Sequence, residues 1–184
     1  TQKAMCELLL ADYSRRGLID GIGIRLPTVV VRPGRPNKAA SGFFSGIIRE
    51  PLNGEEAILP VDDDTAHWIA SPRAATGYLM HAATLDTQAL GAQRNLTMPG
   101  LRITVAQEIE TLARIAGPTR TQLIRREPDP VIARIVAGWP RSFDAARAEA
   151  LGFQPDPDFE TVVRAYMEDA GIGSDAVLTP TSGV

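Results

Sequence analysis

The sequence predicts an α/β fold with a small helix-rich lobe appended. Segments of helical periodicity alternate with short β-branched runs through the first hundred residues, the pattern of strands joined through helices. Beyond that point the apolar spacing is almost wholly helical. Chain length agrees with this scale, since 184 residues, 44% of them hydrophobic and 22% charged, suffice for one domain with a good core.

From Ala4 to Arg16 the residues favour helix, and Met5, Cys6, Leu8, Leu9, Leu10 and Tyr13 fall on more than one face. A helix that is apolar on several sides is expected to be buried on several sides. Gly17 is placed to end it, and GIGIRLPTVVV then reads as one buried strand running to the turn RPGRP. SGFFSGIIREPLNG reads as a short helix opened by Ser41 and stopped before Pro51, with EEAILPV behind it as a shorter strand. SPRAATGYLMHAAT has a serine cap, proline at the first helical position and apolar spacing at Ala75, Leu79 and Ala82. RNLTMPG is strand-like and leads to TVAQEIETLARIAG, where Thr104 caps and Val105, Ile109, Leu112 and Ile115 form the stripe. Helices are expected in PDPVIARIVAGW, FDAARAEALGF and PDFETVVRAYMED, and the tail 171–184 is expected to be flexible.

A net charge of −3 argues against nucleic-acid binding, which needs clustered Lys and Arg to displace phosphate counterions, but leaves room for a small anionic ligand. Cys6 is the one cysteine, so an intrachain disulfide and a Cys-rich metal site are both excluded. No apolar run approaches the roughly 20 residues of a membrane helix, and no basic-then-apolar signal segment opens the chain. A soluble, cytoplasmic protein without membrane or nucleic-acid partners is expected.

Several polar features have plain readings. VDDDT is a solvated turn unless further ligands converge on it, so no metal site is assigned. IRREPDP reads as a surface salt-bridge cluster. His67 beside Trp68 reads as packed or surface-exposed rather than catalytic, and His81 in an apolar helix as structural. GIGIR has two glycines at the spacing of half a dinucleotide fingerprint, but a strand follows where a phosphate loop requires a helix.

The lysine early in TQKAMCELLLADYSRRG, followed by GIRLPTVVVRPG, resembles the second half of an extended short-chain dehydrogenase/reductase of the NAD-dependent epimerase/dehydratase family. LGFQPDPDFETVVRAYMED is similar to the closing element of that family. The stretches KAMCELLL, RPGRPNKAASGFFSGIIREPL and IRREPDPVIARIVAGWPRSFDAARAEALGF most resemble members acting on a sugar acid. The resemblance implies the C-terminal part of a Rossmann-like doubly wound fold plus a helix-rich substrate lobe. Residues 1–34 would close the dinucleotide-binding domain, 35–170 would form mainly the substrate lobe, and 171–184 the tail.

The implied reaction is NAD-dependent oxidation at C2 of D-erythronate, giving 2-dehydro-D-erythronate. Lys3 would be the catalytic lysine of the family's Tyr-x-x-x-Lys motif, with its tyrosine four positions earlier, ahead of Thr1. The 184-residue chain by itself would then be inactive. The resemblance assigns cofactor contacts to Lys3, Leu26, Pro27 and Thr28, and substrate contacts to Asn37, Lys38, Ser41 and Arg73. Each has a bland alternative: a strand end at Pro27, a solvated loop and helix cap at Asn37, Lys38 and Ser41, an exposed helix face at Arg73. HWIASPRAA also departs from the family's Arg-Asp-aromatic-Ile-His-Val-Asp-Asp pattern and lacks its acidic pair. The family pairs the helix 4–16 across a dimer axis, implying a homodimer. Two other functions stay open, a nucleotide-sugar epimerase or dehydratase and a non-catalytic dimerising domain.

Overall fold

The computed structural model describes residues 1–35 and 39–173. Helix α1 (Gln2–Arg15) ends where Gly17, at φ +71°, takes the left-handed conformation that a side chain would oppose. The Gly17 and Leu18 amides then return to the Ser14 and Tyr13 carbonyls, closing the last turn. Strands β1 (Gly23–Arg25) and β2 (Thr28–Val29) follow, then α2 (Gly42–Leu52), β3 (Ala57–Leu59), β4 (Ala66–Ala70) and α3 (Pro72–Thr84). A 3-10 turn at Thr87–Leu90 leads to β5 (Asn95–Thr97), β6 (Leu101–Thr104) and α4 (Val105–Ala116). The chain continues through α5 (Pro118–Thr121), β7 (Ile124–Arg126), α6 (Pro130–Ala137), α7 (Ala146–Ala150) and α8 (Phe159–Asp169).

Three short sheets result, and the α/β architecture with parallel pairing is as the sequence predicts. β1 runs parallel to β5, with Arg25 opposite Thr97. β2 runs parallel to β4, which pairs antiparallel with β6. β3 runs parallel to β7. One apolar cluster gathers Phe44, Ile47, Leu59, Ile69, Leu112 and Val163. The other gathers Tyr78, Leu90, Leu96, Met98 and Phe153. Successive residues of β4 serve both, since Ile69 enters the first and Ala70 the second, as strand alternation requires.

Local chemistry placed several elements correctly. Thr104 and Gln107 form a reciprocal capping box on α4, and the Ser71 hydroxyl accepts the Ala74 amide at 2.9 Å. Asp129 and Asp158 cap α6 and α8 in the same way. His81 is structural, its Nε2 lying 2.8 Å from the Leu151 carbonyl.

Tertiary contacts altered other expectations. GIGIRLPTVVV is two strands rather than one, because the chain passes between sheets at Leu26 and Pro27 and a proline has no amide for a ladder. Helix α2 runs through Pro51 into its last turn, and Asn53 closes that turn by donating both its amide and its Nδ2 to the Arg49 carbonyl, the latter at 2.8 Å. Ser41 precedes α2 without a side-chain capping bond. On α3 the buried face holds Ala75, Tyr78 and Ala82, while Leu79 is exposed. Beyond the expected strands lie β4, β6 and β7, and FDAARAEALGF yields only the short α7. Gly100, before β6, is pressed against β4: a Cβ there would stand 2.6 Å from the Ile69 carbonyl oxygen. Helix α1 is the largest departure. Only Ser14 is buried on it, and Met5, Leu8, Leu9 and Tyr13 face outward, because its contacts run along one side to β1.

No helix among the described residues is long and apolar enough to cross a membrane.

Candidate functional site

Helix α1 and strand β1 lie antiparallel, and three contacts set their relative height. Leu10 presses against Gly21 and Gly23, where an added Cβ would meet its methyls at 2.4 and 3.2 Å. One turn earlier Glu7 accepts from Arg25 Nε at 2.7 Å, with a second bond from the same guanidinium. This ion pair holds the Glu7 carboxyl below its ordinary range. Four helical residues rise about 6 Å and two strand residues about 6.6 Å. Extended by one further turn, beyond the end of β1, the same stacking would bring Lys3 level with Pro27. Lys3 and Glu7 share a helix face, and past Arg25 the chain crosses between sheets.

That crossing is the Leu26-Pro27-Thr28 segment. Leu26 is 44% exposed, Pro27 is buried, and Thr28 opens β2 opposite Ile69. Lys3 is exposed and makes no ion pair among the described residues. The close contacts of Gly21 with Leu10, and of Gly23 with the Asn95 side chain, give both glycines a packing role. They lead into a strand and frame no helix N-terminus for a pyrophosphate. The described residues do not form a complete dinucleotide site.

Of the proposed substrate contacts, Asn37 and Lys38 lie outside the described residues. Ser41 stands half-buried at the start of α2. Arg73 is remote in its contacts, donating to Asp169 at 2.5 and 3.2 Å and pairing with Glu168 at 2.9 Å on an exposed surface. Its guanidinium holds the Asp169 carboxyl below the usual range. This geometry favours the exposed-face reading of Arg73.

The other polar groups are absorbed by packing. His67 is 2% exposed, stacks on Phe44 with ring centroids 3.4 Å apart, and lies 2.5 Å from Glu108 Oε1. Burial pushes the Glu108 carboxyl up, opposed by the His67 hydrogen bond. Tyr78 donates its hydroxyl to the Pro99 carbonyl at 2.9 Å, and burial pushes its phenol up to about 12, which disqualifies it as a proton acceptor. Asp63 of the VDDDT turn accepts from Arg126 at 2.8 Å, and Arg125 pairs with Glu127 at 2.8 Å. Among the described residues no three His, Cys, Asp or Glu side chains converge as a metal site.

Two cavities escaped the sequence reading. A cleft of about 860 Å³ runs between α2, β3 and α6, and Glu50, Glu56, Glu127 and Asp129 stand on its walls. A pocket of about 80 Å³ is bounded by Arg32, Pro33, Arg35, Gly42 and Arg49. The RPGR run hinted at the second, but nothing local brings Arg49 beside Arg32.

No protein-family model matches the chain. D-erythronate dehydrogenase of Cupriavidus necator is 52% identical over 171 residues, covering 93% of this chain and 53% of that protein. D-erythronate dehydrogenase of Haemophilus influenzae is 45% identical over 168 residues, covering 91% and 53%. A crystal structure described as the nucleoside-diphosphate-sugar epimerase from Agrobacterium tumefaciens matches with TM-score 0.91 and 55% identity, over 94% of this chain and 51% of that one. The chain thus spans about half the length of the curated relatives it matches. By sequence and by fold the chain is similar to these proteins over more than nine-tenths of its own length.

Proposed function

We propose that the chain is the substrate-side part of an NAD-dependent sugar-acid dehydrogenase that oxidises D-erythronate at C2 to 2-dehydro-D-erythronate. The observation that supports this reading is the packing of α1 on β1 through Glu7–Arg25 and Leu10 against Gly21 and Gly23, a register that, extended by one turn, would bring Lys3 level with Pro27. NAD, when bound, supplies the hydride acceptor. Lys3 contributes an ammonium that favours ionisation of a phenol one helical turn before it and holds ribose hydroxyls. Leu26, Pro27 and Thr28 form the wall against which the reacting carbon is held, with Ser41 as a substrate contact; Asn37 and Lys38 are further substrate contacts by the resemblance alone. The lone thiol, Cys6, is free and exposed, in keeping with a cytoplasmic enzyme.

A nucleotide-sugar epimerase is the second reading, favoured by the name of the Agrobacterium structure. The large cleft has room for such a ligand, and the likeness of several long stretches to members acting on a sugar acid counts against this reading. Assays of the intact enzyme separate the two. D-erythronate should reduce NAD, UDP-sugars should not turn over, and the 184 residues alone should show neither turnover nor micromolar NAD binding. UDP-sugar epimerisation without acid oxidation would reverse the assignment.

The partner is proposed to be a second copy, docked on α1. Leu8 is 72% exposed there, between Met5, Leu9 and Tyr13. Light scattering should report a dimer, and Leu8→Glu with Leu9→Glu should convert it to monomer. A strictly monomeric wild-type protein would remove this interface.

A further inference from the structure

We propose that the pocket of about 80 Å³ bounded by Arg32, Arg35, Arg49 and the first residue of α2 docks the carboxylate of the substrate, with Arg32 and Arg35 as the recognising donors. The inference rests on the dehydrogenase reading and adds the group by which the acid is held.

Arg32 and Arg35 share with Arg102, Arg134, Arg141 and Arg147 the lack of a carboxylate partner among the described residues, but only these two of them line one small pocket together with a buried third arginine. Arg25, Arg73, Arg94, Arg114, Arg126 and Arg164 each hold a carboxylate. Arg32 and Arg35 hold none among the described residues, although both line the same small pocket. Like charges converge only at a cost, and an anion between them offsets it. The one acid attached to this pocket's walls is Glu50, and its Oε1 is taken by Arg49 at 2.5 Å.

Arg49 has the supporting role. Its side chain is 9% exposed, and besides binding Glu50 it donates Nη1 to the Arg32 carbonyl at 2.8 Å. The Arg32 amide donates to Ser45 Oγ at 3.2 Å. Arg32 is thereby clamped to α2 through both backbone groups, which leaves its side chain as the free element. Ser41 places no capping oxygen on the first amides of α2, an 11-residue helix whose dipole adds positive potential on the same side. The volume suits a carboxylate or a group of similar size, and a planar guanidinium matches a carboxylate through paired donors. Arg32 lies five residues beyond Pro27 on one unbroken stretch, so the pocket continues the wall assigned to the reacting end.

The test uses the intact enzyme carrying Arg32→Gln, Arg35→Gln, both together, and the corresponding Lys variants. Calorimetry measures binding of D-erythronate, of the neutral polyol erythritol and of inorganic phosphate, and steady-state assays measure KM for the acid and for NAD. Each Gln change should weaken acid binding about 10- to 100-fold, as loss of charge-assisted bonds does, while leaving NAD unaffected and restoring part of the affinity in the Lys variant. Equal acid affinity in wild type and double Gln variant would overturn the proposal, as would phosphate bound in preference to the acid. If wild type binds the acid through these arginines but reduces no NAD with it, the docking site stands and the dehydrogenase reading falls.

Discussion

Glu108→Ala is expected to lower the unfolding free energy by about 1–3 kcal/mol, the cost of leaving a buried hydrogen-bonding partner unsatisfied. The Glu108 side chain is 0% exposed and its Oε1 lies 2.5 Å from His67 Nε2. Truncation leaves an imidazole that is 2% exposed, whose Nδ1 already lacks a partner, with neither nitrogen bonded, and opens a cavity beside Phe44. Urea unfolding checks the magnitude. Glu108→Gln keeps the shape and one hydrogen bond and should cost far less.

The two variants also differ in pH response. Burial raises the folded-state pKa of Glu108 above its ordinary 4.5, so the folded protein holds a proton that the unfolded chain has released. Stability from the protonated carboxyl is therefore complete below pH 4.5 and is lost as pH rises through the folded value. Glutamine cannot titrate. The stability of wild type relative to Glu108→Gln should decline above pH 4.5, and parallel profiles for the two proteins would show that Glu108 does not retain its proton.

Lys3→Ala in the intact enzyme is expected to lower kcat about 10²- to 10⁴-fold, the range for losing support of a general base. Folding should be unaffected, because Lys3 is exposed and without an ion pair among the described residues. The pH–rate profile separates chemistry from packing. An ammonium nearby favours the phenolate, so its removal returns the phenol toward about 10 and moves the rising limb of kcat/KM to higher pH. A variant with wild-type kcat and an unmoved limb would take Lys3 out of the mechanism.

These two sites were unequally legible. Lys3 entered only through the family resemblance, as the lysine of a Tyr-x-x-x-Lys motif whose tyrosine would lie ahead of Thr1. The His67–Glu108 pair was only half visible: His67 read as packed or surface-exposed, while its partner lies 41 positions away on α4. Arg49 meets the Arg32 carbonyl across 17 positions, a contact no local rule announces. Arg73 could be read two ways until Asp169, 96 positions on, appeared beside it.

What the sequence alone determined is short-range. Caps at Ser71, Thr104, Asp129 and Asp158, the closure of α1 at Gly17, and the α/β alternation all follow from side chains bonding to their own backbone neighbours and from apolar periodicity. Tertiary structure alone decided that one β-branched run becomes two strands at Pro27, that α2 carries Pro51 in its last turn, and that α1 shows its apolar face to the outside. The reason is one of partners: a strand or an apolar face is completed only by groups elsewhere in the chain, and their arrival depends on how all the elements pack together.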